Sequence, residues 1–126
     1  MIKALRERAR ERERAIHLAA QYAQRLAEVL GPLTGILYGS FAHGDFNLGS
    51  DIDMIIISDA LPNHPLERMD LLYRYVDGEI EPKGYIREEF MKMLQRGNPF
   101  ATDALRNGVA VVDDGFWKES EARWKE

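Results

Sequence analysis

The sequence predicts an α/β (α+β) domain, a small mixed β-sheet flanked by helices of which the first is long. Three observations carry that prediction. Short apolar or β-branched runs alternate along the chain with helical patterns. The N-terminal segment reads as one uninterrupted helix. The 126 residues, 45% hydrophobic and 30% charged, suffice for one core and leave little room for a separate substrate-binding module.

The first helix is expected over about residues 3–30. Its first half is the charge run from Arg6 to Arg14, with a net charge of +2 over residues 6–14, and reads as a solvated helix face. Glu7 with Arg10 and Glu11 with Arg14 meet at i+3 and support the helix, whereas Arg6 and Arg10 repel. Its second half is amphipathic through Ile16, Ala19, Ala20, Ala23, Leu26, Ala27 and Leu30. Gly31 and Pro32 end it.

The run Gly35-Ile36-Leu37-Tyr38 is a strand that leads into Gly39-Ser40 and a short helix. Residues 51–57 form a buried strand. Residues 65–76 are helical, with Pro65 in the first turn. Residues 79–86 are a third strand, which Pro82 assigns to a sheet edge or bulge. Helices follow over residues 88–96 and from Asn98-Pro99 to Arg106, the second opened by an Asn cap and a Pro at the first position. Val109 to Val112 is a fourth strand. A last helix, about residues 115–125, carries Trp117 and Trp124 on one face, as core or interface.

The net charge of −4 disfavours generic nucleic-acid binding. The absence of cysteine excludes disulfides, thiol catalysis and cysteine-ligated zinc. No apolar run approaches membrane-spanning length and the N-terminus lacks a secretory apolar stretch, so the expectation is a soluble cytoplasmic protein.

Chemistry concentrates in Gly39-Ser40-Phe41-Ala42-His43-Gly44 and Gly49-Ser50-Asp51-Ile52-Asp53. Residues i and i+2 of a strand share a face, so Asp51 and Asp53 project together. Paired carboxylates repel unless a cation lies between them, and Mg²⁺ is the usual hard cation for oxygen ligands that must also hold phosphate. Gly39 allows close backbone approach, and Ser40 with the following N–H groups suits an anion. Rival motifs fail. Asp45 and Phe46 stand where a Walker A motif requires Lys and Ser/Thr, and there is no G-x-G-x-x-G. Ser50 and Ile56 replace the glycine and glutamate of a calcium-binding EF-hand.

With these residues the sequence resembles the DNA polymerase beta-like nucleotidyltransferases, and most closely their minimal nucleotidyltransferase branch. The resemblance is sharp over residues 35–57 and looser through Glu81-Pro82 and Glu88-Glu89-Phe90 to Asn98-Pro99. It implies a single nucleotidyltransferase domain over residues 1–126, with its catalytic core at about 34–112. It also implies transfer of a nucleoside monophosphate from an NTP to an acceptor hydroxyl, with release of pyrophosphate. By that resemblance Asp51 and Asp53 hold Mg²⁺, or alternatively Mn²⁺, and Gly39 and Ser40, with Ser50 beside them, bind the nucleotide. A third carboxylate, serving as base or metal ligand, is expected on a neighbouring strand. Glu79 and Glu81 share the right parity. Glu81 is chosen because it lies deeper in the apolar strand and matches the family position better, although the family often has Asp there. His43 is a departure, since Arg or Lys commonly precedes that glycine, and it reads as a residue of the site's edge.

The resemblance further implies ATP as the foremost donor, although no motif reads a purine edge. It implies a HEPN-type helical protein as partner in a toxin–antitoxin pair, and the first helix and tail aromatics allow a homodimer. Two rival classes stay open: an antitoxin-like partner-binding module, and a nucleotide sensor with little turnover. Lys83 shares the face of Glu81, as a phosphate contact or as an exposed strand lysine. His64 reads as a loop residue and His17 as structural.

Overall fold

A computed structural model describes residues 2–44, 46 and 50–125. In chain order the elements are helix α1 (Ile2–Leu30), strand β1 (Thr34–Tyr38), helix α2 (Ser40–His43), β2 (Ile52–Ile57), α3 (Pro65–Arg74), β3 (Ile80–Tyr85), α4 (Arg87–Gln95), α5 (Pro99–Asn107), β4 (Val109–Val112) and α6 (Phe116–Trp124). The sheet order is β3-β2-β1-β4. β1 runs antiparallel to both β2 and β4, and β2 runs parallel to β3, so the sheet is mixed as the sequence predicts.

The alternation of β2 decides what lies on each face. Ile52, Met54 and Ile56 join Leu37, Leu61 and Leu72 in the core that α1 and α3 cover. Ile55 and Ile57 join Ile36 in a second core, closed by Phe90, Leu94, Leu105 and Trp117. Both faces of β2 are therefore filled, which explains its nearly continuous apolar run. Asp53 is the one residue of β2 that is not buried.

α1 lies across the first face, where its stripe of Ala15, Ala19 and Ala23 is fully buried. Small residues are required there. A Cβ on Gly35 of β1 would stand only 2.8 Å from that of Ala23, so helix and strand are nearly in backbone contact. Tyr22 on the same stripe donates its buried hydroxyl to the Leu72 carbonyl at 2.7 Å, which ties α1 to the end of α3. Gly31, at φ 85, ends α1 and returns its N–H to Ala27 at 2.8 Å.

α3 ends at Arg74, slightly earlier than its apolar pattern suggests, and His64 caps its start by accepting from the Leu66 N–H at 3.2 Å. The expected Asn98 cap of α5 is present, its side-chain oxygen accepting from Ala101 at 3.2 Å. Asp113 accepts from the Trp117 and Lys118 N–H groups at 3.1 Å each and so caps α6. Trp117 is buried, with Trp124 packed beside the same core, so their shared face is a core face. β3 is an edge strand, as Pro82 requires. Its outer side is further blunted where Arg68 of α3 donates to the Gly84 carbonyl at 3.2 Å. Among the described residues no helix is long and apolar enough to cross a membrane.

Candidate active site

The predicted residues gather at the end of the sheet where β1 finishes and β2 and β3 begin. Gly39 directly follows β1 and Ser40 opens α2, both half-buried. Ser50, half-buried, and Asp51, exposed, lie just ahead of β2, whose ladder starts when the Ile52 N–H meets the Glu79 carbonyl at 2.7 Å. Asp51 thus precedes the strand instead of forming its first residue. Gly49 of the motif and Asp45 of the rejected rivals lie outside the described residues.

β2 and β3 run in parallel register with Asp53 level with Glu81, so the two carboxylates stand on one face of neighbouring strands. Glu79 instead lies ahead of β3, where Arg14 approaches it at 3.9 Å. Burial pushes the Asp53 carboxyl above the usual range, the negative charges of Glu81 and then Asp51 push it further, and Lys83 opposes them. Asp53 thus feels both neighbouring carboxylates, with a single lysine offsetting them in part. Among the described residues, no three acidic or histidine side chains are drawn together tightly enough to enclose an ion. The donor set nonetheless fits a divalent cation: hard oxygens, with an excess of negative charge at a partly buried carboxylate.

Gly39 has a requirement of its own. It sits at φ 74, and a Cβ there would overlap the Asp53 carboxylate. The glycine therefore leaves space for Asp53 as well as exposing backbone. After it, α2 is a single turn, with His43 N–H to Gly39 carbonyl at 3.0 Å and Gly44 N–H to Ser40 carbonyl at 2.8 Å.

Sequence reasoning missed the residues that hold this turn. Two arginines of the supposedly solvated charge run reach across from α1. Arg12 donates to the Phe41 carbonyl at 3.1 Å, and Arg8 donates to the Gly44 carbonyl at 2.8 Å. The Arg8 guanidinium also lies 4.6 Å over the Phe46 ring, which stacks on Phe41 at 4.4 Å. On the other side His43 meets Asp103 of α5 at 3.0 Å, and that hydrogen bond is the main cause holding the Asp103 carboxyl below its usual range. His43 is exposed at the edge of the site, as expected.

An aromatic flank was also missed. Tyr38, the last residue of β1, packs edge-on to Phe100 at 5.1 Å, and Lys83 lies 5.0 Å over the same ring. Burial, then the charge of Asp53, raises the Tyr38 phenol above its ordinary value.

The site thus sits on a mixed-sheet α+β domain, with acidic residues at one end of the sheet and a glycine-serine turn beside them. The nucleotidyltransferase domain family model matches residues 20–103, more than half of the chain, and the chain belongs to that family of enzymes. The architecture is similar to the crystal structure of a Sulfolobus solfataricus protein regarded as a nucleotidyltransferase. The TM-score is 0.62 at 20% identity, over 82% of this chain and 84% of that one, which shows a shared fold. No curated protein matches the chain.

Proposed function

We propose that this chain is one catalytic domain that transfers a nucleoside monophosphate from a Mg²⁺-bound NTP, ATP foremost, to an acceptor hydroxyl. The observation that carries the reading is the level pairing of Asp53 with Glu81 beside Gly39, in a chain of this family. Asp51, Asp53 and Glu81 hold the divalent ion, Mg²⁺ or Mn²⁺. When bound, the ion offsets the charge of the phosphates and of the pentacovalent transition state. Gly39 and Ser40, with Ser50 beside them, hold the β- and γ-phosphates through backbone N–H and hydroxyl groups. Glu81 accepts the proton of the acceptor hydroxyl. The acceptor oxygen forms a bond to the α-phosphorus, the bond from that phosphorus to the bridging oxygen breaks, and pyrophosphate leaves. The residues act by positioning and electrostatics. On the strength of the family resemblance, a HEPN-type helical protein of a toxin–antitoxin pair is the first acceptor to test, in the cytoplasm.

The test is incubation of the purified protein with Mg²⁺ and each α-phosphate-labelled NTP, in a lysate of its source, beside Asp51→Asn and Asp53→Asn. The expected result is a labelled band that both variants lose, with transfer reduced at least about a hundredfold. Label equal in wild type and variants would overturn the reading. Partner capture that survives both substitutions, without any label, would favour a binding module. NTP binding without pyrophosphate release would favour a sensor.

A further inference from the structure

We infer that the leading turns of α1 in one copy of this chain lie antiparallel on the outer face of α3 in a second copy, reciprocally about a twofold axis. The fold leaves two apolar stripes uncovered. On α3, Leu66, Met69 and Tyr73 are 72%, 56% and 43% exposed. They stand at i, i+3 and i+7 and so share one side of the helix. On α1 every residue from 2 to 10 is exposed, and Ile2, Leu5 and Ala9 repeat the same spacing. Ile2 and Leu5 are 68% and 61% exposed. Large apolar side chains grouped in this way mark an interaction surface, whereas scattered ones do not. The α3 stripe is widened at Met69 by a groove of about 310 Å³ that Pro65, Leu72 and Pro82 also line.

Charge selects the occupant. Glu67 and Asp70 stand exposed beside the α3 stripe. Asp70 is shared with Arg74 at 2.6 Å, while Glu67 has no ion-pair partner among the described residues. Arg6 and Arg10 stand beside the α1 stripe, also without ion-pair partners among the described residues, whereas Arg8 and Arg12 turn toward α2. Arg6 follows Ile2 by four residues and Asp70 follows Leu66 by four, so each charge lies on the same flank of its stripe. Helices packed antiparallel bring like flanks together. Ile2 then falls level with Tyr73 and Ala9 with Leu66, Arg6 meets Asp70, and Arg10 meets Glu67. A parallel arrangement would set both arginines against the groove side, where Lys83 lies and Glu89 is already held by Arg68 at 2.7 Å. α1 is one unbroken helix of 29 residues, so its leading turns cannot fold back onto α3 of the same copy. Nine residues of helix are only about 13 Å long. One such contact falls short of the about 1,000 Å² that a specific interface buries, so the two equivalent contacts of a twofold pair act together. The charged rim sets register and orientation more than affinity.

The test is sedimentation equilibrium of the purified full chain from micromolar to millimolar concentration. The expected result is a monomer–dimer equilibrium. Leu5→Asp on the arm and Met69→Asp on the face should each raise the dissociation constant at least about tenfold. Arg10→Glu and Glu67→Arg should each weaken the dimer several-fold, and the two reversals combined in one chain should restore it. All four side chains are exposed, so at concentrations where the wild type is monomeric every variant should melt with it. Recovery in the double reversal is the decisive reading, because a variant that merely folds poorly is not rescued by a second change on another helix. A wild type that is monomeric throughout would overturn the inference. So would a dimer that both aspartate variants leave intact, since its interface lies elsewhere. Single reversals that weaken the dimer without mutual rescue would overturn the pairing of Arg10 with Glu67, and with it the antiparallel register. Masses that rise past the dimer would overturn the closed twofold pair. A monomeric wild type that captures another protein through Met69 would assign the face to that protein instead.

Discussion

Gly39 lies so close to the Asp53 carboxylate that a single methyl group would overlap it. The end of β1 and the start of β2 are thus fitted to one another at the point where phosphate and metal ligands must meet. Gly39→Ala should have two effects, because φ 74 is unfavourable for alanine and Asp53 must move. The expected loss of stability is about 2–3 kcal/mol by denaturant unfolding, accompanied by loss of Mg²⁺-nucleotide binding. Gly44→Ala is the comparison: its φ is 87 but an added Cβ would meet nothing among the described residues within 4 Å, so only the backbone cost of about 1–2 kcal/mol applies. Equal effects of the two substitutions on nucleotide binding would contradict the fit of Gly39 to Asp53.

Asp53 carries a pH signature. Its carboxyl is raised in the folded protein by burial and by Glu81 and Asp51. The folded state therefore holds this proton more tightly than the unfolded state. As pH rises through the raised value, Asp53 ionises at a cost, and that part of the stability is lost and stays lost at neutral pH. Asp53→Asn should consequently raise the melting temperature in metal-free buffer at pH 7, on the order of a few degrees, and flatten the change between acid and neutral pH. The same variant should lose the stabilisation that added Mg²⁺ gives the wild type. An unchanged or lower melting temperature in metal-free buffer would refute this account.

Asp114 behaves in the opposite sense. Burial pushes its carboxyl up, but hydrogen bonds from Thr34, Arg87 and the Phe116 N–H outweigh it and hold the group below the usual range. Thr34 reaches it at 2.8 Å and Arg87 at 2.5 Å, which fastens the start of β1 and of α4 to the turn before α6. The stability it contributes is present above the unfolded value and is lost as pH falls through the depressed one. Asp114→Ala should cost about 1–3 kcal/mol at pH 7, since it leaves a partly buried guanidinium without its carboxylate and the Thr34 hydroxyl with only its longer bond to Asp113 at 3.3 Å. The penalty should shrink in acid, as measured by denaturant unfolding across pH.

How much of this was legible in the sequence depended on whether a feature is local. The shared face of Asp53 and Glu81 within their strands needs only a period of two, whereas the strand parity read for Asp51 fails because it stands ahead of β2, and Pro82 marks the edge strand because it lacks an N–H. The cap at Asn98 and the shared face of Trp117 and Trp124 are equally local. The preference for Glu81 over Glu79 acquires a physical reason only from the β2–β3 register. What stayed hidden joins distant parts of the chain. Arg8 and Arg12 bond carbonyls 36 and 29 residues away, and a carbonyl has no residue type to be recognised by. Tyr38 and Phe100 meet only when α5 folds over β1, and Thr34 finds Asp114 only once the fold brings β1 to the turn before α6.

Those two arginines give the last prediction. Each donates to a carbonyl of the single turn that follows Gly39, and Arg8 also covers the Phe46 ring. α2 is too short to hold its own geometry, because helix initiation fixes several residues for each bond formed. The clamp from α1 therefore acts as a positioning device for the proposed phosphate-binding turn. Arg12→Ala should weaken that hold by about 0.5–1.5 kcal/mol, the net worth of one such hydrogen bond. The effect should appear as a several-fold rise in the KM for NTP with kcat much less affected. Arg8→Ala should act the same way and add the loss of its ring contact. Lysine at position 12 keeps the charge and can donate to one carbonyl, so it should recover much of the nucleotide affinity. A general electrostatic attraction of NTP to the arginine run makes a different forecast, in which Arg6→Ala and Arg10→Ala raise KM as much as Arg12→Ala. Steady-state kinetics of the four alanine variants and Arg12→Lys at one ionic strength separate the two.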